Sequence, residues 1–94
     1  MSDYKINTKC LVGGYKPGSG EPRQIPIIQS TTFKYDTCEE MGKLFDLEAT
    51  GYFYSRLQNP TCDYVAAKLA ELEGGVAAML TSSGQAANFF ALFN

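Results

Sequence analysis

The sequence predicts an α/β layer protein on three observations. A helix-period apolar stripe closes at Gly74-Gly75. A short apolar run, Val76 to Leu80, follows as a strand. A Thr-Ser-Ser-Gly turn, Thr81 to Gly84, then opens an Ala- and Phe-rich helix over Gln85 to Phe93. The apolar share of 45%, with six Phe and six Tyr, is that of a folded core and not of a disordered segment. Ninety-four residues suit one small domain, which buries only about two-thirds of its unfolded surface and is marginal without partners.

Taken in order, Met1 to Pro26 reads as an extended arm, because Gly13, Gly14, Pro17, Gly18, Gly20, Pro22 and Pro26 interrupt any period. Ile25, Ile27 and Ile28 suggest that the arm lies across another surface. Thr31, Thr32, Phe33 and Tyr35 continue in extended, β-friendly types. Thr37 followed three residues later by Glu40 is a capping box, so a first helix starts there, with Met41, Leu44 and Phe45 on its apolar face and Gly51 as its stop. Asn59 and Pro60 open a second helix as N-cap and first residue, and Val65, Ala66, Leu69 and Leu72 form its stripe. One strand makes no sheet, and the last helix reaches Asn94 without a cap. The sequence therefore predicts that this stretch begins something larger.

Composition excludes several function classes. The net charge of −2 and the lack of a Lys/Arg cluster argue against nucleic acid as main partner. No apolar run approaches the ~20 residues of a membrane span, and MSDYKINTK is no signal peptide, which makes the cytoplasm the expected location. Cys10, Cys38 and Cys62 are widely spaced and there is no His, so neither a disulfide framework nor a zinc site is expected. Without His, no Ser-His or Cys-His catalytic arrangement exists within the chain.

Two places could hold an anion. A turn that delivers a helix start presents unpartnered N–H groups carrying about half a positive charge, so the Ser83-Gly84-Gln85 turn can wrap a phosphate; Gly84 lets the backbone come close. The same Ser-Gly pattern equally suits a plain N-cap. In GYFYSRLQNPT, Tyr54 and Arg56 stand two apart, which in an extended backbone puts a phenol and a guanidinium on one side, a pair suited to phosphate oxygens. The bland alternative is a packed Tyr54 and a surface ion pair at Arg56.

Four stretches, PIIQSTTF (26–33), YSRLQNPT (54–61), LEGGVAAM (72–79) and TSSGQAA (81–87), resemble in that order the N-terminal part of the Cys/Met-metabolism pyridoxal-phosphate (PLP) enzymes. The resemblance covers almost the whole chain. It implies the large PLP-binding domain of a fold-type I, aspartate aminotransferase-like enzyme, incomplete here: residues 1–60 as an arm with one short helix contacting the neighbouring subunit, and residues 61–94 as the start of the α/β domain. It implies that Tyr54 and Arg56 reach the PLP phosphate of a neighbouring subunit in a homo-oligomer, a homotetramer in this family. It also implies that Ser83, Gly84 and Gln85 hold the phosphate of their own subunit.

Gln85 and the phrase LFDLEATGYFYSR resemble O-acetylhomoserine sulfhydrylases more than γ-lyases. The implied reaction is γ-replacement, with acetate leaving O-acetylhomoserine and sulfide or a thiol adding to give homocysteine or methionine. Methionine γ-lyase, cystathionine γ-synthase and a non-catalytic phosphate-binding module are the alternatives. The family's cofactor-anchoring lysine lies beyond residue 94, and none of Lys5, Lys9, Lys16, Lys34, Lys43 and Lys68 sits in a matching context, so no catalytic residue is assigned and the stretch alone is expected to be inert. A His common in the family before the Gly near Val12 to Gly14 is missing.

Overall fold

The computed structural model describes residues 3–94, folded as four α-helices: α1 (Ile6–Val12), α2 (Cys38–Phe45), α3 (Pro60–Glu73) and α4 (Gly84–Phe93). α3 is the axis. Asn59 accepts from Thr61 N at 2.9 Å as its N-cap, and Pro60 occupies the first turn, where its missing N–H costs nothing. At the other end Gly74 takes the left-handed conformation (φ 71), and Gly75 N donates to Ala70 O at 2.8 Å, closing the helix in a Schellman motif.

The arm is not extended throughout: Ile6 to Val12, the longest early stretch without Gly or Pro, forms α1. Asn7 and Thr8 are weak helix formers, so contact with α3 carries this helix. Lys68 Nζ on α3 donates to Cys10 O at 3.1 Å and Leu11 O at 3.5 Å, capping the carbonyl end of α1. Gly14 (φ 77) then lets the backbone cross α3 so closely that a Cβ there would sit 2.4 Å from Lys68 N. Gly14 N donates to Glu71 Oε2 at 3.3 Å, and the Tyr15 ring meets Tyr64 edge-on at 4.7 Å.

α2 starts where the capping box places it, with Thr37 Oγ1 accepting from Glu40 N at 3.2 Å. It ends before Gly51. Glu48 N donates to Lys43 O at 2.9 Å and Leu47 N to Leu44 O at 3.3 Å, with Leu47 in the left-handed slot (φ 62) that glycine usually fills. Leu44 is buried, and Phe45 stacks at a tilt on Phe53 at 4.7 Å.

The strand expected over Val76 to Leu80 does not form. Among the described residues the only β pairing is an isolated antiparallel bridge between Thr32 and Tyr54. A strand is defined by its ladder, and residues 76–80 have no neighbouring strand to pair with. Val76 is fully exposed at 104% and α4 presents apolar residues all round, with Phe89, Phe90, Leu92 and Phe93 all exposed. The Cα radius of gyration is 15.6 Å, against about 12 Å for a compact domain of this length. Leu44, Pro60 and Ala70 are the buried apolar side chains among the described residues, so the described chain closes no large core of its own.

Candidate anion-binding site

The first candidate group sits on the loop before α3. Tyr54 pairs with Thr32, and Ser55 N donates to Thr31 O at 2.8 Å, so the strand-like segment 30–32 fixes the loop's entry. The backbone then turns instead of running extended: Leu57 N at 3.0 Å and Gln58 N at 3.1 Å both donate to Tyr54 O. Tyr54 and Arg56 thus meet through a turn, with the Arg56 guanidinium carbon 5.1 Å from the Tyr54 ring centroid. Arg56 is exposed and makes no ion pair among the described residues, where Lys34–Asp36 at 2.8 Å is the one salt bridge. A surface ion pair at Arg56 is therefore not what the structure holds.

Three polar side chains stitch this loop to the segment 26–32. Ser55 Oγ donates to Ser30 O, and Thr61 Oγ1 accepts from Ile28 N at 2.9 Å while donating to Pro26 O at 2.7 Å. Asn59, buried, donates from Nδ2 to Ile28 O at 3.0 Å and to Ser55 Oγ at 3.1 Å. Sequence reasoning missed these three residues as a group: Asn59-Pro60 reads as a helix start, and nothing local shows that its amide reaches a carbonyl 31 positions away. The loop's other flank is fixed by Tyr52, whose hydroxyl donates to Asp63 Oδ2 at 2.8 Å and whose carbonyl accepts from Tyr35 OH. Burial, and then the Asp63 carboxylate, push the Tyr52 phenol up to about 12, so its proton stays in place.

The second candidate group is the turn before α4. Ser83 is extended (φ −157, ψ 158) and its Oγ accepts from Ala86 N at 3.1 Å, while Thr81 Oγ1 donates to Ser83 O at 2.9 Å. Ser83 is thus an N-cap, yet its hydroxyl hydrogen remains free to donate outward. The first helical bond of the end is Ala87 N to Ser83 O at 3.1 Å, which leaves the N–H groups of Gly84 and Gln85 without a backbone partner among the described residues. A Cβ at Gly84 would meet nothing within 4 Å, so the approach to those N–H groups is open. Behind the turn an apolar groove runs between Met79, Leu80 and the α4 residues Ala87 and Phe90.

No hydrogen bond, ion pair or ring contact among the described residues joins the two groups. Each is complete as a set of donors: a guanidinium with a phenol, and two N–H groups with a hydroxyl. Both suit oxyanions, and one phosphate has oxygens enough for both. Among the described residues no cluster of three His, Cys, Asp or Glu could hold a metal ion, and the three cysteines are free and exposed.

The family model described as Cys/Met metabolism PLP-dependent enzyme matches residues 7–94. The chain is 40% identical over 93 residues to an O-acetyl-L-homoserine sulfhydrylase of Leptospira meyeri, covering 98% of this chain and 21% of the relative. It is 49% identical over 84 residues to an L-methionine gamma-lyase of Fusobacterium nucleatum subsp. polymorphum, covering 89% of this chain and 21% of the relative. Its structure resembles that of a Campylobacter jejuni protein described as an O-acetylhomoserine (thiol)-lyase, crystallised with N′-pyridoxyl-lysine-5′-monophosphate. The TM-score is 0.85 at 34% identity, over 97% of this chain and 22% of that one. The chain thus spans about a fifth of the length of the relatives it matches.

Proposed function

We propose, from the premise that this chain belongs to the Cys/Met-metabolism PLP-dependent enzyme family, that it supplies two sets of phosphate-binding donors to a γ-replacement enzyme. Ser83, Gly84 and Gln85 hold the PLP phosphate of their own subunit through the open start of α4. Tyr54 and Arg56 reach the phosphate of a neighbouring subunit in a homo-oligomer. One observation carries this reading: a guanidinium without an ion pair among the described residues and a pair of helix-start N–H groups without backbone partners among them stand in one short chain.

The donors fit a phosphate dianion on chemical grounds. Arg56 offers a planar fork to two oxygens, Gly84 admits close backbone approach, and the α4 end adds its dipole. The electron-sink chemistry that lets a γ-substituent leave and a sulfur nucleophile add belongs to PLP when bound. The residues of this chain do no proton transfer; they anchor and orient the cofactor's phosphate end. In this reading residues 1–60 are the arm that contacts the neighbouring subunit and residues 61–94 the start of the PLP-binding domain. The substrates are O-acetylhomoserine with sulfide or a thiol, the products homocysteine or methionine and acetate, and the enzyme works in the cytoplasm.

A second reading, methionine γ-lyase activity, is favoured by the 49% identity to the Fusobacterium lyase. Assays of the full-length enzyme separate the two: homocysteine from O-acetylhomoserine and sulfide supports the first, and α-ketobutyrate from methionine at a comparable rate supports the second. For the phosphate role, Arg56→Ala removes a charge-assisted contact of roughly 1.5–3 kcal/mol, which raises the PLP dissociation constant about 10- to 100-fold. An unchanged constant would overturn it.

A further inference from the structure

We infer that Asn59 is the positioning residue of the Tyr54–Arg56 pair, an inference that rests on the phosphate role just proposed. Asn59 is the buried polar residue among those described, at 9% exposure, and both polar atoms of its side chain are committed. Its Oδ1 caps α3 by accepting from Thr61 N at 2.9 Å. Its Nδ2 supplies one hydrogen to Ile28 O at 3.0 Å and the other to Ser55 Oγ at 3.1 Å. One side chain therefore ties together three separate pieces: the rigid start of a 14-residue helix, the extended segment 26–32, and the residue between Tyr54 and Arg56.

The consequence is geometric. Ser55 bonds to Asn59, to Ser30 O and to Thr31 O, and these three bonds restrain the backbone from which its two neighbours project. An exposed Arg56 carries about 2 kcal/mol of rotamer freedom, and a mobile backbone beneath it would add to what phosphate binding must immobilise. Asn59 removes the backbone part of that cost beforehand. A helix cap alone needs no amide hydrogens, since Asp and Ser cap as well as Asn; two hydrogens aimed away from the helix are what a cap leaves unexplained. The Asn59 side chain is itself buried and spent on Thr61 N, Ile28 O and Ser55 Oγ, so its effect on a phosphate would pass through the loop.

The test uses the full-length holoenzyme and two substitutions that keep the cap. Asn59→Asp retains the acceptor for Thr61 N but sets a carboxylate against Ile28 O; Asn59→Ser retains a cap and cannot reach Ile28. The readouts are the PLP dissociation constant, the phosphorus NMR resonance of bound PLP, and the double variant with Arg56→Ala. The expected result is about tenfold weaker PLP binding and a shifted phosphorus resonance for both cap-preserving variants. Arg56→Ala with Asn59→Asp should be weaker than Arg56→Ala alone by clearly less than the effect of Asn59→Asp by itself, because only Tyr54 is then left to be positioned. Wild-type PLP binding in both Asn59 variants, or full additivity with Arg56→Ala, overturns the positioning role while a weakened Arg56→Ala leaves the phosphate reading standing. An unchanged Arg56→Ala overturns that reading and this inference with it.

Discussion

The turn at Tyr54–Arg56 is held by partners far away in sequence, and the turn at Ser83–Gln85 by its immediate neighbours. Ser55 and Asn59 bond to residues 25 and 31 positions back, and Thr61 to residues 33 and 35 back. Ser83, by contrast, is fixed by Thr81, Ala86 and Ala87. The first turn is therefore a tertiary object whose shape is complete within this chain. The second is a local object: its cap geometry is set by four or five residues, while its place in space depends on whatever packs against residues 76–80 and the exposed apolar faces of α4. Donors of similar chemistry can thus be built either way, and the two should fail differently.

The substitution with the largest expected effect attacks the long-range side. Gly14→Ala places a Cβ 2.4 Å from Lys68 N and 2.8 Å from Tyr64 O at a left-handed φ, so the arm must lift from α3. A cost of about 3 kcal/mol is expected, visible as a lowered urea midpoint with faster amide exchange in α1 and α3. Exchange in α4 should stay as it was, and equal acceleration there would erase the contrast between the regions.

Next comes the local side. Ser83→Ala removes the N-cap of α4 and should cost about 1 kcal/mol, with faster exchange confined to the first turn of α4. A loss that spread to α3 would show that the second turn is not local.

The smallest effect at neutral pH concerns Tyr52. Its phenol is raised from 10.0 to about 12 in the folded chain, so its bond to Asp63 stabilises fully below pH 10 and is lost as pH rises through 12. Stability should therefore fall across that window. Tyr52→Phe should flatten the fall and, by removing the same hydrogen bond, cost about 0.5 kcal/mol at pH 7, as read from thermal midpoints between pH 7 and 12, and an unaltered fall would remove Tyr52 as its cause.

Much of the helical framework was legible because its signals are local. Thr37 with Glu40, Asn59 with Pro60, Gly74 with Gly75 and Ser83 with Gly84 each combine a cap with the residue that cap requires, and the structure starts or stops a helix at all four. Local signals also misled. Gly51 looked like the stop of α2, but a Schellman closure at Leu47 came first, because the preceding carbonyls found N–H partners without a glycine. The Val76 to Leu80 run has strand composition, but composition supplies no ladder partner.

What the sequence determined by itself is therefore the chemistry: a guanidinium beside a phenol, a helix start with free N–H groups, no histidine, and four ordered motifs that place the chain in its family. What only the tertiary structure decided is how those donors are held. α1 exists because Lys68 caps its carbonyl end and Gly14 lets it lie on α3, and the Tyr54–Arg56 turn keeps its shape because Asn59, Ser55 and Thr61 reach back to residues 26–31. The physical reason is one of range. Caps and turns are satisfied within a few residues, so sequence spacing encodes them, whereas a hydrogen bond across thirty residues depends on the path of the intervening chain, which no local pattern records.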